Sequence, residues 1–237
     1  MNVAFALIGS LAVALVVAGC DAARSAAARA GLTGFEARCE ASLPAARVEV
    51  VTAPIVPSID RTRSWRELTS MSGDAGSELR ALGLTLAQVG HKASVETTGI
   101  ENQQDGRVCV RPSIKVELSA MPMTVYIGRE IASDSCRDAA ALEHEMKHVA
   151  VYRDELPRIA SDLRALLEKS YGSRILYYRS RTDADRATKG ALGAELGPML
   201  EEDGRRIKER QRAVDSPEEY ARVSAACGGM SRDGAAR

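Results

Sequence analysis

The sequence predicts an α+β fold: a mainly antiparallel β part first, then one motif-bearing helix, then further helices. Three observations predict it. Short β-branched runs of period two fill much of residues 47–127, divided by prolines, glycines and an Asp-Gly pair. From about residue 135 the apolar spacing becomes helical, with capping residues at the starts. The order is therefore strands followed by helices, which suits a sheet covered by a helical layer.

Taken in order, residues 47–52 are valine-rich and end at Pro54 and Pro57. Residues 65–68 and 77–82 read as short helices, the second closed by Gly83. Residues 94–98 alternate. Asp105-Gly106 is a turn signal, after which residues 107–110 lead through Pro112 into the cleanly alternating 114–118. A further short strand, 123–127, lies between Pro122 and Gly128. Asp134 or Ser135 could cap a helix running from about 137 to 155, where Pro157 interrupts it; the pattern resumes over 158–171 and stops at Gly172. A third helical segment, about 183–213, is open to a break at Gly197-Pro198. Ser216-Pro217-Glu218-Glu219 combines a cap, a proline in the first turn and early acids, so a last helix starts there and reaches Cys227.

The chain has 32 basic and 32 acidic residues, so no net field argues for nucleic acid or for a strongly charged partner. Aromatic residues make up only 4%, and the core must rest on Ala, Leu, Val and Ile. No internal repeat is present. The N-terminus sets the compartment. Residues 3–17 are almost unbroken apolar sequence, too short to span a membrane and followed by Ala18-Gly19-Cys20. That ending resembles the lipobox of bacterial lipoproteins, although Met1-Asn2 carries no Lys or Arg. The resemblance implies a signal peptide over 1–19, a lipid on Cys20, a tether over 20–38 and a domain facing the periplasm. Asp21 resembles an inner-membrane retention signal, so which membrane holds the lipid stays open. Without Cys20, four cysteines remain: Cys39, Cys109, Cys136 and Cys227. In an exported chain they suggest two disulfides, with three possible connectivities. The favoured pairs are Cys39–Cys109 and Cys136–Cys227, because each joins segments of the same half of the domain, 39–227. Residues 228–237 read as a disordered tail.

Chemistry concentrates in Leu142-Glu143-His144-Glu145-Met146-Lys147-His148-Val149, which contains His-Glu-x-x-His and two of the three histidines. On a helix, His144 and His148 sit one turn apart on one face and could hold a zinc ion between neutral imidazoles. Glu145 lies about 100° round the helix, placed to act on a water at the metal rather than on the metal itself. This is the signature of the zincin metallopeptidases, which the chain resembles over one helix. More loosely, over residues 107–160, it resembles bacterial families known only as predicted secreted zinc-dependent proteases. The resemblance implies a zincin-like fold, Zn2+ as cofactor, peptide or protein substrates, and Glu145 as general base. It also implies that 123–127, just before the helix, forms the edge that holds extended substrate, with Tyr126 and Arg129 near the cleft. Lys147 departs from the family, which usually keeps charge off that position. A catalytic zinc takes a third protein ligand. Asp154 has the metzincin spacing but lacks the preceding glycine, since Val151 stands there. Glu195, Glu201 and Glu202 are the gluzincin-style candidates, and His91 reads as an exposed loop residue. The competing readings are a non-catalytic envelope lipoprotein that keeps the helix, and a zinc-buffering protein, which three histidines disfavour.

Overall fold

The structure is a computed structural model and describes residues 34–73 and 80–228. The proposed signal peptide, Cys20 and nearly all of the tail lie outside the described residues. Five helices and five strands are described: α1 (Gly34–Ser42), β1 (Arg47–Thr52), β2 (Ser58–Asp60), α2 (Trp65–Met71), β3 (Gly83–Glu101), β4 (Val108–Ile127), α3 (Ser135–Tyr171), β5 (Leu176–Tyr178), α4 (Arg181–Val214) and α5 (Pro217–Ala225).

Everything in the sheet pairs with β4. Along one edge of β4 runs β3, antiparallel, from Gly83 opposite Ile127 to Glu101 opposite Val108. Three short strands share the other edge: β5 antiparallel on 108–110, β1 parallel on 113–118 and β2 parallel on 124–126. The sheet is thus mixed. Its longest ladder is antiparallel, but two of its four pairings are parallel, so antiparallel pairing describes only part of it.

The sequence reads β4 in pieces, running through Pro112 but stopping at Pro122, where the structure has one strand. A proline cannot donate to a ladder. Pro112 lies between the stretches that pair with β5 and β1, and Pro122 between those that pair with β1 and β2. At both, one edge of β4 has no partner to disappoint. Near Pro122, which follows a cis peptide bond, the ladder to β3 also shifts register between Ala87 and Val89. Buried positions change there from even to odd: Ile114, Val116, Leu118 and Ala120, then Met123, Val125 and Ile127. A bulge re-aims side chains in this way. The shift keeps both halves of β4 facing the core.

That core lies on one face of the sheet, against α3 and α4, and includes Val116, Val125, Val149, Leu163, Leu167 and Leu196. The opposite face of β4 carries Arg111, Ser113, Lys115, Glu117 and Ser119, none of them buried. Helix α3 runs unbroken through Pro157 for 37 residues, against the expected interruption. Pro157 is exposed, so the carbonyl it leaves without a donor can be hydrated. The same holds at Pro198, and α4 is continuous as well. Between α3 and α4, buried Glu155 takes Arg158, Arg206 and Arg210 as ion-pair partners.

One further expectation is corrected. Residues 80–82 are not helical, and Gly83 opens β3 rather than closing a helix; 77–79 lie outside the described residues. The short strand β5 carries no periodicity long enough to read. The folded body starts before residue 39: α1 begins at Gly34 and buries Phe35 with Cys39, Leu43 and Cys109. The disulfides join the favoured pairs, Cys39–Cys109 over 70 residues and Cys136–Cys227 over 91. In the chain-entropy model, cross-links of such span are worth about 4–5 kcal/mol each.

Candidate metal centre

Asp134 starts α3 by capping it: its carboxylate accepts from the backbone N–H of Cys136 and Arg137. The first turns then lie beside the start of β3 on one flank and the α4–α5 junction on the other. His144 and His148 come together as the spacing requires, their rings edge to face with centroids 5.1 Å apart. Both Nε2 atoms face one oxygen. Asp215 Oδ1 is 3.3 Å from His144 Nε2 and 3.2 Å from His148 Nε2. Asp215 is the residue after α4, at its C-cap.

The three side chains form the group among the described residues that could hold a metal ion, with ligand atoms within 4.8 Å of one another. Their chemistry fits zinc. Bond lengths of 2.0–2.2 Å in a tetrahedron put neighbouring donor atoms about 3.3–3.5 Å apart. The two nitrogen–oxygen separations, 3.3 and 3.2 Å, lie at and just below the short end of that range. With neutral imidazoles whose protons sit on Nδ1, two nitrogen lone pairs and a carboxylate would surround one point, an arrangement that calls for a cation. Without an ion the same contacts require protonated rings. Asp215 raises the His144 pKa, and at His148 the hydrogen bonds of Asp215 and Gln211 outweigh an opposing effect of burial. Burial would raise the Asp215 pKa, but hydrogen bonds from both histidines hold it well below the usual carboxylate range.

The other ring nitrogens are held as metal-bound histidines usually are. His148 Nδ1 lies 2.6 Å from Gln211 Oε1, and Gln211 Nε2 donates to the His148 carbonyl at 3.1 Å, which fixes the amide's orientation. His144 Nδ1 lies 3.3 Å from Glu219 Oε1. Glu219 also accepts both hydrogen bonds of a fork from Arg222, and Lys147 Nζ at 2.7 and 2.8 Å. Tyr220 donates its hydroxyl to Asp215 Oδ1 at 3.0 Å. Lys147, the charge foreign to the motif, thus has a partner that orients a histidine. Glu143 reaches the same network through Arg222 at 3.2 Å.

Glu145 points away from α5, toward β3. It is 4% exposed, and Thr85 donates its hydroxyl to Glu145 Oε2 at 2.7 Å. Burial raises its pKa against that hydrogen bond and the charges of His148 and His144. Gly83 makes room for it: a Cβ there would collide with the carboxylate. A buried carboxyl of raised pKa beside two imidazoles is suited to taking up and returning a proton.

None of the ligand candidates weighed in the sequence joins this group. Asp154 is exposed and pairs with Arg210 at 3.4 Å. Glu202 pairs with Arg205. Glu195 and Glu201 lie on α4 outside the group, and His91 is exposed on β3. Nor is the strand expected to hold substrate open to a further strand. Residues 124–126 are hydrogen-bonded on both sides, to β2 and β3, and cannot accept another strand. Among the described residues β3 pairs only with β4, so its outer edge is free, as are those of β1, β2 and β5; the β3 edge is the one that begins at Gly83 and Thr85, beside Glu145. Arg129 interacts with neighbouring Glu130.

If the site holds zinc, Glu219→Ala is expected to weaken its binding by about 10–100-fold, the usual cost of losing an outer partner of a ligating histidine. Competition against a chromophoric chelator measures it. An unchanged dissociation constant would leave Glu219 with no part in holding His144.

No protein-family model, curated protein or solved structure matches this chain.

Proposed function

We propose that this protein is a zinc-dependent peptidase of the bacterial cell envelope, held to a membrane by a lipid on Cys20. The observation that carries the reading is the convergence of His144 Nε2 and His148 Nε2 on Asp215 Oδ1, with buried Glu145 on the same helix. His144, His148 and Asp215 would hold the ion. When bound, zinc supplies Lewis acidity, which acidifies a water and polarises a carbonyl. Glu145 takes the proton of the attacking water and returns it to the leaving amine. Thr85 and the space at Gly83 keep its carboxylate in place. An extended peptide adding to the free edge of β3 would run past Glu145, so the reading favours unfolded or flexible segments as substrates.

The direct test is zinc content and turnover together. Protein purified without chelator should hold about one zinc per chain and cleave an unstructured protein such as casein. Phenanthroline should stop cleavage, and added zinc should restore it. Wild-type protein that neither contains zinc nor takes it up would sink the reading.

A second reading is a non-catalytic, partner-binding envelope lipoprotein. One feature favours it: His144, His148, Asp215, Glu219, Lys147 and Arg222 satisfy one another as hydrogen bonds and ion pairs without an ion. Zinc uptake separates the two.

The anchor is tested apart from the metal. Among the described residues no helix is long and apolar enough to cross a membrane. Cys20→Ser should abolish incorporation of a radioactive fatty acid that the wild type shows. If the wild type does not label and its mature start is not residue 20, the lipid is excluded.

A further inference from the structure

We infer that the Cys136–Cys227 disulfide is a thiol-sensitive latch on the metal centre: reducing it releases α5 and loosens the site. The inference rests on the metal reading above.

Helix α5 has nine residues and buries none of them. An isolated helix that short is not stable in water. What holds α5 is a set of side-chain links to the first turns of α3. Glu219 meets Lys147 and His144, Arg222 meets Glu143, and Cys227 is bonded to Cys136. The ion pairs are at least partly solvated, and such pairs hold little by themselves. The covalent bond is therefore the main restraint on the segment after Asp215. That segment supplies Glu219 to His144 and the Tyr220 hydroxyl to Asp215. Asp215 itself adjoins α4, where Gln211 is fixed against His148. Opening the bridge thus removes two outer partners and leaves the three ligands near one another.

The two disulfides differ in access. Cys39 and Cys109 are 0% exposed, whereas Cys136 is exposed and Cys227 half-buried. Thiol–disulfide exchange requires a thiolate to reach a sulfur. A dithiol reductant delivers two electrons and two protons to the bridge, becomes a disulfide itself, and leaves Cys136 and Cys227 as thiols. It should open this bridge first.

Three measurements on the purified protein, residues 21–237, test the latch. Brief treatment with dithiothreitol, alkylation and peptide mass mapping should find label on Cys136 and Cys227 before Cys39 and Cys109. On the treated protein, and on Cys136→Ser/Cys227→Ser, amide hydrogen exchange over 217–225 should become fast while that of β4 stays slow. Zinc affinity should fall about 10–100-fold, as expected for lost outer partners. Slow exchange over 217–225 without the bridge, or a zinc dissociation constant within twofold of wild type, would overturn the latch. Loss of protection throughout β4 would overturn it as well, since the bridge would then hold the whole fold. If the oxidised wild type takes up no zinc, the metal reading fails, and with it the link to the site. The exchange measurement still decides whether the bridge alone holds α5.

Discussion

Glu145→Gln should lower peptide hydrolysis by about 10²–10⁴-fold, the range general-base catalysis supplies, while zinc stays at about one per chain. Glutamine has nearly the same size, so the pocket that Gly83 leaves for the carboxylate can hold the amide. Its oxygen can still accept from the Thr85 hydroxyl, which now lies 2.7 Å from Glu145 Oε2. What it cannot do is accept the water's proton. Initial rates on an unstructured substrate, with zinc measured on the same samples, separate loss of the base from loss of the metal. Wild-type turnover in this variant would remove Glu145 from the mechanism. Loss of zinc along with activity would mean that the carboxylate supports the site and is not simply its base.

Asp215→Ala should cost more zinc affinity than any change outside the three ligands, beyond the roughly 10–100-fold expected at Glu219. It deletes the oxygen on which both histidines converge and leaves two ligands where a catalytic zinc takes three. The matched control is Asp154→Ala, which removes an exposed carboxylate paired with Arg210 and should leave affinity unchanged. Chelator competition on both variants reads the difference. If Asp215→Ala binds zinc like the wild type, the third ligand is elsewhere, or the two histidines bind nothing that matters.

The contrast between these two residues marks what the sequence made legible. His144, Glu145 and His148 share one helix, so a fixed pitch turns their spacing into geometry. Asp215 lies 67 residues beyond His148, and no local period links them. The nearest signal was the strong helix start at Ser216-Pro217, which makes Asp215 the hinge between two helices. The cap of α5 was legible for a similar local reason, whereas the disulfide pairs followed only from grouping the four cysteines by halves of the domain. Elements were misjudged mainly at prolines. Pro122 and Pro157 read as boundaries and Pro198 as a place open to a break, yet each lies inside an element, as Pro112 does. Whether a proline breaks a strand depends on which edge lacks a partner, and whether it breaks a helix depends on exposure of one carbonyl. Both are tertiary facts. Gly83 was misread because its role is to leave space for a side chain 62 residues later, which no neighbouring residue reveals.

A sheet in which every strand pairs with β4 also constrains the order of assembly. The β3–β4 hairpin closes through only residues 102–107 between its strands, so its contacts form at low entropic cost. The pairings of β1 and β2 each bridge 66 residues, from Arg47 to Ser113 and from Ser58 to Thr124, and must await a finished β4. Helix α3, which emerges just after β4, supplies its two histidines early, but the carboxylate on which they converge comes 67 residues after His148. A nascent protein would therefore carry an incomplete metal site until its C-terminal segment docks. If the site holds zinc as proposed, its retention would then report on completion of folding as well as on chemistry.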